Sequence, residues 1–183
     1  MRADAQRNRV KVLEAASAAF AEEGLAVSVQ RIARRAGVGT GTVSRHFPTK
    51  DDLFRAIVLS RVERLVERAR ALADEQEPGE AFFGFFAYMV AEGAINRGLG
   101  EALAGAGFDM EGAAIEAGYD VGAALCDLLV GAQRAGVVRA DVTVADVKAL
   151  MLACLTREFT QPEEGARERL LDVVRRGLRP EAD

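Results

Sequence analysis

Histidine, cysteine and long apolar runs are scarce in this chain, and each scarcity removes a class of function. Among 183 residues there is one histidine, His46, and there are two cysteines, Cys126 and Cys154. A lone imidazole with no paired thiol nearby cannot build a zinc site, so no metal is expected. The cysteines lie far apart in apolar stretches, which points to buried free thiols rather than a disulfide or a redox pair. The longest apolar run, Ala81–Ala91, is about half of the roughly 20 residues that a membrane-crossing helix needs, so no membrane partner is expected. A phosphate-cradling glycine loop is missing too, and no catalytic constellation can be assembled. The chain is therefore expected to be neither an enzyme nor the carrier of a cofactor. The opening MRADAQRNRV leads into no signal-type apolar core, which predicts a cytoplasmic protein.

What is present is apolar bulk and an uneven charge. Hydrophobic residues make up 50% of the chain, enough for a sizeable core. Through Ser60 there are ten Lys and Arg against six Asp and Glu, a net of +4, whereas the remaining 123 residues carry 14 against 22, a net of −8. A basic segment on an acidic body suggests a polyanion at one end.

Hydrophobic spacing predicts an all-α chain. Val12, Leu13, Ala16, Ala19 and Phe20 form a stripe that stops at Gly24. Ser28 caps a second helix whose buried face is Val29, Ile32, Ala33 and Ala36, and Gly37 stops it. A third short helix opens at Gly39 or Thr40, turns Val43 and Phe47 inward and ends before Pro48. Thr49 and Asp52 form a capping pair for a long fourth helix marked by Phe54, Val58, Val62, Leu65, Ala69 and Leu72.

Two short helices around a glycine-centred turn make a helix-turn-helix, whose second helix is sized for the major groove of DNA. Arg45 can reach a guanine edge or a phosphate, and the hydroxyls of Thr40 and Thr42 can serve either. Gly41 either lets DNA approach the backbone closely or has no role. His46 suits a phosphate contact or a packed helix end. Lys50 brings a positive charge to the start of the fourth helix, beside free backbone N–H groups. Arg31, Arg34 and Arg35 read equally as phosphate contacts or as solvated charge.

The stretch from Val12 through Phe20 and Gly24, followed by VQRIARRAGVGTGTVSRHFPTKDDLF, resembles the N-terminal DNA-binding domain of TetR-family transcriptional regulators, with cap, turn glycine, HF, proline and lysine in register. The resemblance implies a three-helix DNA-binding head over residues 1–50 and a larger helical ligand-binding and dimerisation domain over residues 51–183. It also implies a homodimer on a pseudo-palindromic double-stranded DNA operator, and repression relieved by a small-molecule effector. Thr40, Thr42, Arg45, His46 and Lys50 fall on the family's DNA-contacting positions, and Gly41 and Ser44 complete the candidate DNA-binding set. Ser44 stands where the family usually has a tyrosine. The rival reading is a helical small-molecule-binding protein without sequence-specific DNA binding.

Beyond the polar break DEQEPGE, the stretch AFFGFFAYMV is apolar on all sides, as a core helix or a cavity lining would be. Glycines from Gly84 to Gly122 imply either loose, adaptable packing or close helix crossings. Phe82, Phe85, Phe86, Met89, Phe108 and Cys126 are the candidate lining of an apolar ligand pocket, and such a stripe fits plain core as well. Two amphipathic helices are expected at Val144–Phe159 and Glu164–Leu178, with apolar faces around Leu150 and Leu171 that serve a dimer or close a monomer's core.

Overall fold

The residues described by the computed structural model, 2–161 and 163–180, fold into helices with no strand among them. In chain order these are α1 (Arg2–Glu23), α2 (Val29–Ala36), α3 (Thr40–His46), α4 (Lys50–Glu75), α5 (Pro78–Gly105), α6 (Met110–Glu116), α7 (Val121–Arg134), α8 (Val144–Thr160) and α9 (Ala166–Gly177). The protein is all-α. No helix among the described residues is long and apolar enough to cross a membrane.

Local chemistry sets the helix ends near the N-terminus. Ser28 accepts a hydrogen bond from the Arg31 N–H at 3.3 Å, and Gly37 closes α2 at φ +69°, a left-handed conformation that costs glycine nothing. The Thr49 hydroxyl accepts from the Asp52 N–H (3.1 Å) while the Asp52 carboxylate accepts from the Thr49 N–H (3.0 Å). This is the reciprocal capping box that starts α4. α1 begins nearly three turns before Val12, its first buried stripe residue, a start that periodicity did not reveal.

One compact unit comprises Met1–Glu63 with Asn96–Tyr119. Its core gathers Val12, Ala16, Phe20, Ile32, Val43, Leu53, Ile57, Leu99 and Leu103. Phe20 and Phe54 meet edge to face with centroids 5.0 Å apart. α6 is held by Arg55, which donates to Glu116 at 2.7 Å, and by the Tyr119 hydroxyl just beyond it, which donates to Glu63 at 2.6 Å.

The second unit comprises Arg64–Ile95 with Asp120–Asp183, so α4 and α5 each contribute to both. Its core gathers Leu72, Phe82, Phe85, Phe86, Val90, Leu125, Leu129, Val147, Met151, Cys154 and Val174. Arg175 ties α9 to α5: its guanidinium bonds both Glu80 oxygens (2.9 and 3.0 Å) and lies 4.8 Å from the Phe83 ring centroid. Cys154 is buried and Cys126 half-buried, both as free thiols. Desolvation pushes the Cys154 thiol pKa up.

Two of the α5 glycines are there for close crossings. A Cβ on Gly93 would stand 2.9 Å from a Leu155 methyl, and one on Gly98 would stand 3.0 Å from the Ala21 carbonyl oxygen. The loose-packing alternative does not hold at these positions.

Of the two uses open to the C-terminal apolar faces, the residues around Leu150 and Leu171 take the protomer's own core. Val174 and Leu178 are buried, and Leu150 and Leu171 pack half-buried against the same core, so that face closes the protomer. Leu152 and Val173 point the other way, 63% and 62% exposed. On α8 the exposed Ala145, Ala149 and Ala153 accompany Leu152 at helical spacing.

Candidate nucleic-acid interface

The turn between α2 and α3 fixes what α3 presents. After Gly37, the Val38 N–H returns to the Ala33 carbonyl (3.0 Å), and the Gly39 carbonyl accepts from the Thr42 N–H (2.9 Å) to begin α3. With Val43 and Phe47 anchored in the core, Thr40, Gly41, Ser44 and Arg45 are exposed and Thr42 and His46 half-buried. A Cβ on Gly41 would meet only the Arg45 guanidinium, at 3.6 Å, an ordinary contact. Packing therefore does not demand glycine there, and the Arg45 side chain runs back along α3 over it.

Lys50 follows in the first turn of α4. Its ammonium donates to the Leu25 carbonyl at 3.1 Å, leaving two of its three donors. Free N–H groups beside it are fewer than the sequence suggests, because the capping box takes those of Thr49 and Asp52.

The arginines of α2 divide. Arg35 grips both Glu22 oxygens (2.6 and 2.7 Å) and Arg31 bonds Glu23 (2.8 Å). Hydrogen bonds from Arg35 hold the Glu22 carboxyl below its ordinary pKa. These two cations pair α2 with α1, while Arg34 remains exposed.

Sequence reasoning missed one cation. Arg9, half-buried on α1, places its guanidinium 5.6 Å from the Phe47 ring centroid. The signal was its position three and four residues before Val12 and Leu13, on the same buried stripe.

The expected ligand-lining residues divide between the two units. Phe82, Phe85 and Phe86 are filled core, with Met89 packed against them, and Cys126 is half-buried on α7. Phe108 packs instead against the core around Val12 and Leu103. The reason is that α5 is long enough to serve two cores, and Phe108, just past its end, joins the one that Leu99 and Leu103 enter. An open groove of about 640 Å³ lies elsewhere, lined by Gln133, Gly136, Val138, Arg139, Ala140, Asp141 and Pro180, and nothing in the sequence pattern marked it. Among the described residues no His, Cys, Asp and Glu cluster fit for a metal occurs.

Comparison with known proteins agrees with this architecture. Residues 12–57 match the bacterial regulatory proteins of the tetR family, and residues 77–180 match the C-terminal domain of SbtR-like transcriptional regulators. The crystal structure of a TetR transcription regulatory protein from Mycobacterium vanbaalenii is 49% identical, with 98% of this chain and 99% of that one covered at a TM-score of 0.80. A TetR transcriptional regulator from Streptomyces coelicolor is 34% identical, with 95% and 99% covered at a TM-score of 0.78. An HTH-type transcriptional regulator from Staphylococcus aureus is 36% identical over 76 residues, which span 41% of each chain. Helix-turn-helix, all-α body and both domain matches thus lead to one conclusion: this chain belongs to the TetR family of bacterial transcriptional regulators.

Proposed function

We propose that the protein is a repressor that binds a pseudo-palindromic operator as a homodimer and is released by an apolar or aromatic small molecule. The observation that carries the reading is the outward row of Thr40, Gly41, Ser44 and Arg45 on a short helix anchored from behind by Val43 and Phe47. Thr42, His46 and Lys50 complete the DNA-contacting set. Residues 1–50 act as the DNA-binding domain and residues 51–183 as the ligand-binding and dimerisation domain.

Arg45 is the residue chosen to test base reading. If its guanidinium reads a guanine edge, Arg45→Ala costs about 1–3 kcal/mol at one operator position and little elsewhere. Fluorescence anisotropy with the DNA upstream of its own gene and single-base variants of it provides the measurement. A uniform loss across variants reassigns Arg45 to the phosphates. No preference of the unaltered protein for that DNA over a mixed-sequence duplex favours the rival reading, a binding protein without sequence-specific recognition.

Release by a ligand is a coupling between two binding equilibria, and coupling is reciprocal. A compound that weakens operator binding must bind less tightly when operator is present, by the same factor, typically about 5- to 150-fold. Apolar and aromatic compounds found by thermal shift are titrated calorimetrically with and without operator. Equal affinities for every compound found would sink the sensor reading.

A further inference from the structure

We infer that Arg9 is a further DNA-contacting residue, a phosphate clamp brought from α1 to the end of the recognition helix; this rests on the DNA-binding reading above. Arg9 continues the buried stripe of Val12, Leu13 and Ala16 by one turn, so its stem leaves the core at the rim. There its guanidinium lies 5.6 Å from the ring centroid of Phe47, the residue that closes α3. The same ring is 6.1 Å from that of His46. The arrangement therefore puts a permanent cation beside the last turn of α3.

The chemistry of that arrangement leaves Arg9 free to bind an anion. A guanidinium attracted to a ring by its face keeps its N–H donors in its own plane, where they suit the oxygens of a phosphate. Its neighbours are differently committed: Arg31 and Arg35 are held by Glu23 and Glu22, and Arg7 is paired with Asp4. Arg9 has no carboxylate partner among the described residues and spends only its face on Phe47.

Geometry favours phosphate over base. A helix with its side chains is about 10–12 Å across and the major groove about 12 Å wide, so a docked α3 fills the groove. A group carried on a helix packed beside α3 then meets the groove wall, where the phosphates run.

The test is the slope of log affinity against log salt, measured on the DNA upstream of the protein's own gene and on a mixed-sequence duplex. Arg9→Met keeps the apolar stem and removes the charge, and Arg9→Gln keeps a polar end. Both variants should weaken binding to the two duplexes alike and flatten the slope by about 0.9 for each phosphate that is no longer neutralised in a half-site. Arg9→Lys should restore the slope. A slope unchanged in Arg9→Met and Arg9→Gln, with the unaltered protein binding in a salt-dependent way, overturns the clamp and leaves Arg9 a packing residue of Phe47. If the unaltered protein binds neither duplex, the DNA-binding reading itself fails and the clamp falls with it.

Discussion

Glutamate in place of both Leu152 and Val173 is expected to convert the protein into folded monomers that bind a palindromic operator about 10²- to 10⁴-fold more weakly, the range lost when two linked binding events become separate ones. Both side chains are more than three-fifths exposed in the single protomer, at 63% and 62%, so the charges add no penalty inside the fold. Across a dimer interface they would place like charges in an apolar contact without partners. The neighbouring Val174 is unsuitable for this test, because it is buried in the protomer core and a charge there would unfold the unit rather than separate two copies. Light scattering gives the assembly state and anisotropy the affinity. An unaltered protein that is monomeric at micromolar concentration refutes the dimer.

Phe20→Ala is expected to lower stability by about 3–5 kcal/mol, the range for a large aromatic deleted from a close-packed core. Phe20 is 1% exposed, it packs edge to face on Phe54, and it sits among residues of α1, α2, α3, α4 and α5. Since domains retain only about 5–15 kcal/mol in total, such a loss would bring the unit that carries α3 close to unfolding at ambient temperature. Urea denaturation followed by helical circular dichroism measures it, with the transition of the other unit fitted separately because two units need not unfold as one. A loss below about 1 kcal/mol would show that the ring is not a keystone of that core.

Local signals made the first part of the fold legible. Ser28, Gly37, Pro48 and the Thr49–Asp52 pair act on backbone groups within a few residues of themselves, and each does in the structure what its chemistry requires. The outward row on α3 was readable for the same reason, since inward Val43 and Phe47 leave the remaining side chains only one direction. Partners distant in sequence were not readable. Glu22 and Arg35 lie 13 residues apart, and nothing in either stretch tells which glutamate an arginine on the next helix will choose. The full extent of α5 was hidden because its glycines lower helical propensity, and the crossings at Gly93 and Gly98 show why those two are kept. The candidate pocket residues divide between two cores for a related reason: apolar composition says that Phe82 and Phe108 are inside, but not inside which core.

At the Gly98 crossing the α5 backbone rests against the Ala21 carbonyl with no side chain between them. Packed helices shear past one another by small rotamer adjustments in the layer of side chains that separates them. Here that layer is a single hydrogen atom, and it has no rotamer to change. A side chain added at position 98 would meet backbone rather than a side chain that can turn aside, so it would have to move one helix away from the other.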